Sequence, residues 1–459
     1  MFERKIEREL LKWKSKSGRK PLIFRGARQT GKTTLVRKFA RSFKNFIELN
    51  LEKEVNQKIF SEVKDIKDVV QSIEGISNQR VIPHETLLFL DEVQNSVSAI
   101  KLLRYFYEEM PNLHVISAGS LLEVRMKTEG WSFPVGRVEF LYLYPVTFDE
   151  FLSVTGEEVL LKSLWEYGIE KSLPPPLHDR FINLLSDYMV VGGMPEAVNE
   201  YIKERSFVAV RQYHETLVSS FKEDFSKYSK GAEATHLKLV WDRIPFEVGS
   251  RITYSKLAGA NAHSKEISRA FDILHEAMLI ERIFPTTQVA PPLVKKTKAA
   301  PKALFLDIGL CIAALHLTKD QIHEQFVDPS YRGGLSEAFV GQELMALDCY
   351  QRNALFFWIR EEKGASSELD FVLPVENTLI PLEVKSGSQG SLKSLHQFLL
   401  RSSHHVGIRL YNGPLKVEEH SVLLPNSGKL DYQLISIPIY LTFRLKEIIL
   451  KHSRILGRR

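Results

Sequence analysis

Cysteine is scarce in this chain, with two residues, Cys311 and Cys349, among 459. They lie far apart and outside any metal-ligand spacing, which excludes a disulfide framework and makes a reducing cytoplasm the expected setting. Long apolar runs are missing as well. No stretch approaches the roughly 20 apolar residues that a membrane helix needs. The nearest, Val138 to Val146, is broken by Glu139 and Pro145, so no membrane partner is expected. Residues 1–20 alternate charged with apolar side chains and have no uninterrupted apolar core, which excludes a secretory signal there. Neither sign of charge dominates: 62 Lys and Arg against 56 Asp and Glu leave +6. That balance permits contact with nucleic acid and does not establish it. The basic residues do gather in three clusters, at 4–20, 295–302 and 446–459, and each reads equally well as a solvated face or linker.

What is present begins with Gly26-Ala27-Arg28-Gln29-Thr30-Gly31-Lys32-Thr33, which fits G-x-x-x-x-G-K-[ST] at every fixed position. Before it, 21–25 reads as a short buried strand. After it, 34–43 reads as a helix with Leu35, Val36, Phe39 and Ala40 on one face. Strand, glycine loop and helix in that order mark a phosphate-binding loop. Gly26 and Gly31 let successive N–H groups turn toward phosphate oxygens at the positive end of the helix dipole. Lys32 is expected to reach the β- and γ-phosphates, the Thr33 hydroxyl to hold Mg²⁺, and Thr34 to complete the site. The inference is ATP with Mg²⁺.

Thr86-Leu87-Leu88-Phe89-Leu90 is a continuous apolar run, the mark of a strand buried on both faces, and it ends in Asp91-Glu92. Asp91 would support Mg²⁺ and Glu92 would polarise the attacking water, which adds hydrolysis to binding. A further strand at 113–117 leads to Ser120, expected to sense the γ-phosphate, with Ser117 as second choice and a plain turn as the equal alternative. Arg137, with Arg125 competing, could act on a neighbouring subunit's nucleotide in a homo-oligomer, and a surface ion pair is the plainer reading.

From 145 to about 230 the pattern is helical, interrupted at Gly192-Gly193-Met194-Pro195. Residues 237–287 predict helices at 237–244, 255–260 and 264–275, then a hairpin near 279–287, the plan of a winged helix whose third helix would enter DNA. That helix carries Lys265 and Arg269 but also Glu266 and Asp272, so a purely structural role stands equal to DNA contact. The Pro-, Ala- and Lys-rich stretch up to Pro301 predicts a linker. The expected domains are thus 1–150, 151–232 and 233–290, a linker at 291–302, and 303–459.

The last part reads as helix (336–347), strand (355–359), two alternating strands (368–373 and 379–385), helix (391–400) and strand (406–411). Residues two apart on a strand share a face, so Glu383 and Lys385 lie together, and Asp370 joins them if the strands are neighbours. Two carboxylates and a lysine so placed suit metal-assisted phosphodiester cleavage. Asp370 and Glu383 would hold Mg²⁺, Lys385 would orient water, and Glu337 would add a ligand from the helix. An ordinary cross-face ion pair is the alternative.

The motifs at 26–34, 90–94 (Leu-Asp-Glu-Val-Gln), 118–120, 136–137 and 192–195 resemble a prokaryotic AAA-family ATPase group. Members of that group carry a C-terminal domain of unknown function with the restriction-endonuclease-like, PD-(D/E)xK fold. Glu-Leu-Asp-Phe-Val at 368–372 and Leu-Glu-Val-Lys-Ser-Gly at 382–387 are similar to that second domain. The resemblance spans nearly the whole chain. It implies an α/β protein with a P-loop AAA-type parallel sheet, a helical and winged-helix middle and a nuclease-like end. It names no substrate, and no second sensor arginine can be matched after Pro145. ATP, Mg²⁺ and DNA are the expected ligands. The expected function is ATP hydrolysis that controls DNA binding or cleavage; the alternative is an ATP-driven switch with an inactive nuclease-like interaction module.

Overall fold

A computed structural model describes residues 2–62, 65–120, 122–131, 133–229, 231–258, 263–323, 329–352, 355–361, 367–386, 392–424 and 428–453. The expected turn at 261–262, the last two residues of the helix before it, Ser391 and the basic tail beyond Ser453 lie outside these. Two sheets carry the architecture.

The first contains β1 (Leu22–Arg25), β2 (Asn45–Asn50), β3 (Thr86–Asp91), β4 (His114–Ala118) and β5 (Glu139–Tyr142) in the order β2-β3-β4-β1-β5. All pairings are parallel. All six residues of β3 are buried, because successive side chains feed opposite cores. Leu87 and Phe89 pack with Leu22, Phe24 and Ile116 on one face. Leu88 and Leu90 pack with Ile23, Ile47 and Val115 on the other. A strand covered on both sides has no reason to alternate. Placing β4 between β1 and β3 leaves one strand width between the loop after β1 and the acids after β3.

The second sheet has eight strands in the order β12-β13-β11-β10-β9-β8-β6-β7. They are β6 (Ile280–Thr286), β7 (Lys302–Phe305), β8 (Phe356–Ile359), β9 (Glu368–Val375), β10 (Thr378–Val384), β11 (Val406–Tyr411), β12 (Lys416–Leu424) and β13 (Gly428–Pro438). β8, β9 and β10 run antiparallel to their neighbours in that trio, and β11 joins β10 in parallel. One apolar core runs from the middle helices into this sheet, including Phe181, Trp241, Phe271, Phe339, Phe371 and Ile408. Its other face packs on the helix Lys393–Leu399 through Leu395 and Phe398.

Here two expectations change. The hairpin near 279–287 is a single strand, β6, whose partners are β7 in antiparallel and β8 in parallel pairing. The three helices of the winged-helix plan are present at Ala232–Arg243, Tyr254–Ala258 and Ser264–Glu276, but the wing is an inner strand of the large sheet. Prolines 291, 292 and 301 lack the N–H that a ladder needs, so the returning strand starts only at Lys302. Because β6 before this stretch pairs with β7 at its end, the segment expected as a linker at 291–302 connects two strands of one sheet. Ladder and core both cross the boundary drawn there.

Candidate functional site

The Gly26–Thr33 loop leaves the carboxyl end of β1 and enters the helix Lys32–Ala40. Gly31 stands at φ 89°, a left-handed conformation natural to glycine. Around the loop the side chains are already arranged. The Thr30 hydroxyl donates to the Ala27 carbonyl at 2.9 Å. Lys32 Nζ donates to the carbonyls of Gly26 and Ala27 at 2.9 and 2.7 Å. Gln29 and Thr34 are exposed. The Thr33 hydroxyl donates to Asp91 Oδ2 at 3.0 Å, across the width of β4. A hydroxyl and a carboxylate so close form the hard-oxygen donor set that suits Mg²⁺. Burial raises the Asp91 pKa, against the Thr33 hydrogen bond, which lowers it.

Glu92 follows Asp91 with φ 53° and turns its carboxylate onto the side-chain amide of Gln94. Gln94 is buried, and its backbone carbonyl accepts from Arg125 at 3.1 Å. Gln94 closes the Leu-Asp-Glu-Val-Gln motif, and the structure makes it the group that holds Glu92. Ser120 lies buried just past β4, on the same edge of the sheet. Ser117 is turned inward, its hydroxyl 3.4 Å from the Leu22 carbonyl. Arg137 sits apart from these residues. It precedes β5, whose Glu139 pairs with Leu22 at the start of β1, so it occupies the amino-terminal edge of the sheet. There it ion-pairs with Glu108 at 2.6 Å.

Beyond the sheet, Arg28 of the loop ion-pairs with Asp224 on the long helix Phe207–Tyr228. Asp224 also takes Lys227 at 2.7 Å. Pro195, in the Gly-Gly-Met-Pro break, packs beside the loop: a Cβ at Gly31 would stand 3.5 Å from its Cγ. Neither contact follows from local sequence, since the partners are 196 and 164 positions away.

In the second sheet the expected metal ligands Asp370, Glu383 and Glu337 divide. Asp370 is drawn to β10, where its Oδ2 accepts from the Val384 N–H at 2.7 Å. A register shift between β8 and β9 falls beside it, and such irregularities re-aim side chains. Glu383 pairs with Lys385 at 2.6 Å. Burial and the Asp370 charge push Glu383 up to about 7. Glu337 is instead drawn to Lys302, a residue the sequence placed at the end of a linker. Lys302 Nζ lies 2.8 Å from Glu337, 2.7 Å from Glu368 and 3.7 Å from Asp370, with 3% of its side chain exposed. Burial would lower the lysine, but the three carboxylates outweigh it and hold it charged, while burial pushes Glu337 up to about 8. Arg251 grips the other oxygen of Glu368 at 2.6 Å. Glu368 could have been found from sequence, being two residues from Asp370; nothing local pointed to Lys302 or Arg251. Among the described residues, no group of three or more His, Cys, Asp or Glu is arranged to hold a metal ion.

Much of the basic charge seen in sequence is used internally. Arg4 pairs with Glu150, Lys5 with Asp149, Lys16 with Glu139 and Lys296 with Glu361. On the helix Ser264–Glu276, Arg269 pairs with Glu233. No helix among the described residues is long and apolar enough to cross a membrane.

Residues 18–152 match the model of an AAA domain. Residues 182–321 match a domain of unknown function, DUF8612, and residues 332–426 a second, DUF4143. No curated protein matches the chain. Among solved structures, similarity extends to a Walker-type ATPase of Pyrococcus abyssi, at 14% identity over 69% of this chain and 96% of that one, with a TM-score of 0.44. The Aeropyrum pernix ORC2 protein in its ADPNP–ADP complexes gives 12%, 70% and 92%, with 0.35. The ORC1 protein of the same organism in complex with DNA gives 13%, 69% and 93%, with 0.30. These overlaps are too loose to carry an argument. The domain match and the parallel sheet together make residues 18–152 a P-loop AAA domain.

Proposed function

We propose that the chain is a Mg²⁺-dependent ATP hydrolase working as a conformational switch. The observation that carries this reading is the 3.0 Å contact between the Thr33 hydroxyl and Asp91, with Glu92 next along the same strand end. Bound Mg²⁺ would offset charge on the β- and γ-phosphates and orient them for attack. The loop N–H groups and the Lys32 ammonium hold the phosphates. Thr33 and Asp91 supply oxygens for the cation. Glu92 takes the proton from the attacking water, with Gln94 fixing its carboxylate, and Ser120 is placed to sense the γ-phosphate.

The transmission runs through Arg28. An arginine on the loop is attracted to phosphate as well as to Asp224, so nucleotide binding and hydrolysis shift its balance between the two. Asp224 rides on the helix Phe207–Tyr228, which packs on the helix Ile308–Ala314 beside the second sheet. The nuclease-like sheet is thereby the element that the nucleotide state moves.

Turnover of Mg²⁺-ATP tests the reading. Lys32→Ala should lose nucleotide binding, and Glu92→Gln should bind ATP but hydrolyse it about 10²–10⁴-fold more slowly. Glu92→Gln turning over at the wild-type rate would rule out this assignment.

A second reading, DNA cleavage governed by ATP, draws support from the approach of Asp370, Glu383 and Lys385 at the ends of β9 and β10. The αβββαβ order from the helix Pro329–Ala346 through β11 also supports a restriction-endonuclease-like module. The internal pairing of the basic clusters speaks for the switch instead.

A further inference from the structure

We infer that the Lys302 ammonium is the resident cation of the nuclease-like sheet, standing where the carboxylates would otherwise gather a divalent metal. Three observations on separate elements converge on this. The Nζ is enclosed by carboxylates from the helix Pro329–Ala346 (Glu337) and from β9 (Glu368 and Asp370) at 2.7–3.7 Å. The expected ligand Glu383 pairs elsewhere, its Oε1 tied to Lys385. Finally, Arg251 neutralises the outer oxygen of Glu368 and its backbone bridges to Lys302, so both cations belong to the chain segment preceding the nuclease-like core.

An ammonium is a compact point charge with three donors and can satisfy such a shell without an exogenous ion. Mg²⁺ demands near-ideal octahedral oxygens at close range, which carboxylates divided between two ion-paired groups do not offer. The predicted metal set of Asp370, Glu383 and Glu337 therefore does not fit Mg²⁺ in this chain. The cluster instead clamps the middle of the molecule onto its second sheet. It requires no metal.

Thermal unfolding of the full chain without nucleotide, with EDTA or with millimolar Ca²⁺, tests this. Calcium is the probe because its coordination is flexible and its oxygen distances are long. The wild type should melt at the same temperature in both. Lys302→Ala should melt several degrees lower in EDTA, and Ca²⁺ should restore much of that loss by entering the vacated carboxylate shell. Should Lys302→Ala fail to fold, Lys302→Ala with Glu337→Gln removes the ammonium together with one of its partners. That double variant should fold and melt closer to the wild type. Three results would overturn the inference: a wild type stabilised by Ca²⁺ or Mn²⁺ through Asp370, a folded Lys302→Ala indifferent to Ca²⁺, or a double variant that also fails to fold. Plasmid nicking by the wild type in Mn²⁺, abolished by Asp370→Asn, would likewise overturn it and restore the cleavage reading. Lys32→Ala should leave the Ca²⁺ response of Lys302→Ala unchanged, so the inference and the ATPase reading fail separately.

Discussion

Glu343 shows how one side chain can carry a pH dependence that no motif announces. It is buried on the helix Pro329–Ala346 and accepts the Phe148 N–H at 2.9 Å, close to Asp149, Glu150 and Lys5. Burial, then the charge of Asp149, pushes it up from 4.5 to about 8. Between those values the folded protein keeps a proton that the unfolded chain releases. Stability therefore falls as pH rises through the window and levels off above it. Glu337 and Glu383, also raised, add to the same slope. Glu343→Gln preserves an acceptor for Phe148 and removes the titration. Urea melts from pH 5 to 8 should show a slope shallower by up to about 1.4 kcal/mol per pH unit. An unaltered slope would mean that Glu343 is ionised in the folded state.

The Gly192-Gly193-Met194-Pro195 break illustrates what a short element does for its neighbours. The sequence marks it as an interruption between helices, and the helices Pro175–Val191 and Pro195–Glu204 do flank it. Its tight packing, however, comes from elsewhere in the chain. The Gly193 N–H donates to buried Asp307 at 2.6 Å, and its carbonyl accepts from Val146 at 2.7 Å. A Cβ on Gly193 would fall 2.2 Å from the Val146 carbonyl oxygen, a backbone atom that cannot step aside. Gly193→Ala should therefore destabilise the protein by about 1–3 kcal/mol, the usual range for overpacking. Because Pro195 follows and packs beside Gly31, ATP affinity should fall as well. Chemical denaturation and nucleotide titration on the same variant check the two effects, and a fully stable Gly193→Ala would contradict this packing.

Taken as a whole, the chain does not divide where its composition changes. β6 is held between β7 and β8, strands that lie beyond the Pro-rich stretch, and the middle helices share their core with Phe371 and Ile408. A chain truncated after residue 290 would expose an unpaired strand and half of that core. It should be insoluble or molten, with no cooperative melt. A soluble, cooperatively folding 1–290 fragment would show that the ladder across the boundary is dispensable.

Much of the candidate nucleotide site was legible because its chemistry is local. Phosphate binding needs a backbone turn, a lysine and a hydroxyl within eight consecutive residues, and the paired acids need only an apolar strand ahead of them. Those patterns determined the β1 loop, the burial of β3 and the positions of Thr33, Asp91 and Glu92. The C-terminal part was legible as element order and as the β9–β10 pairing that brings Asp370 to Glu383. What it does there was not, because the charge of a carboxylate cluster depends on whichever cation reaches it through space. Lys302 reads as a linker residue until the sheet closes around it; Arg28 and Asp224 meet only when a helix about 200 residues on docks against the loop. The sequence by itself determined the phosphate-loop pattern of residues 26–33 and the acidic pair after β3. Only the tertiary structure decided that the second acidic cluster already holds a cation of its own, because burial and long-range contacts, not spacing, set that balance.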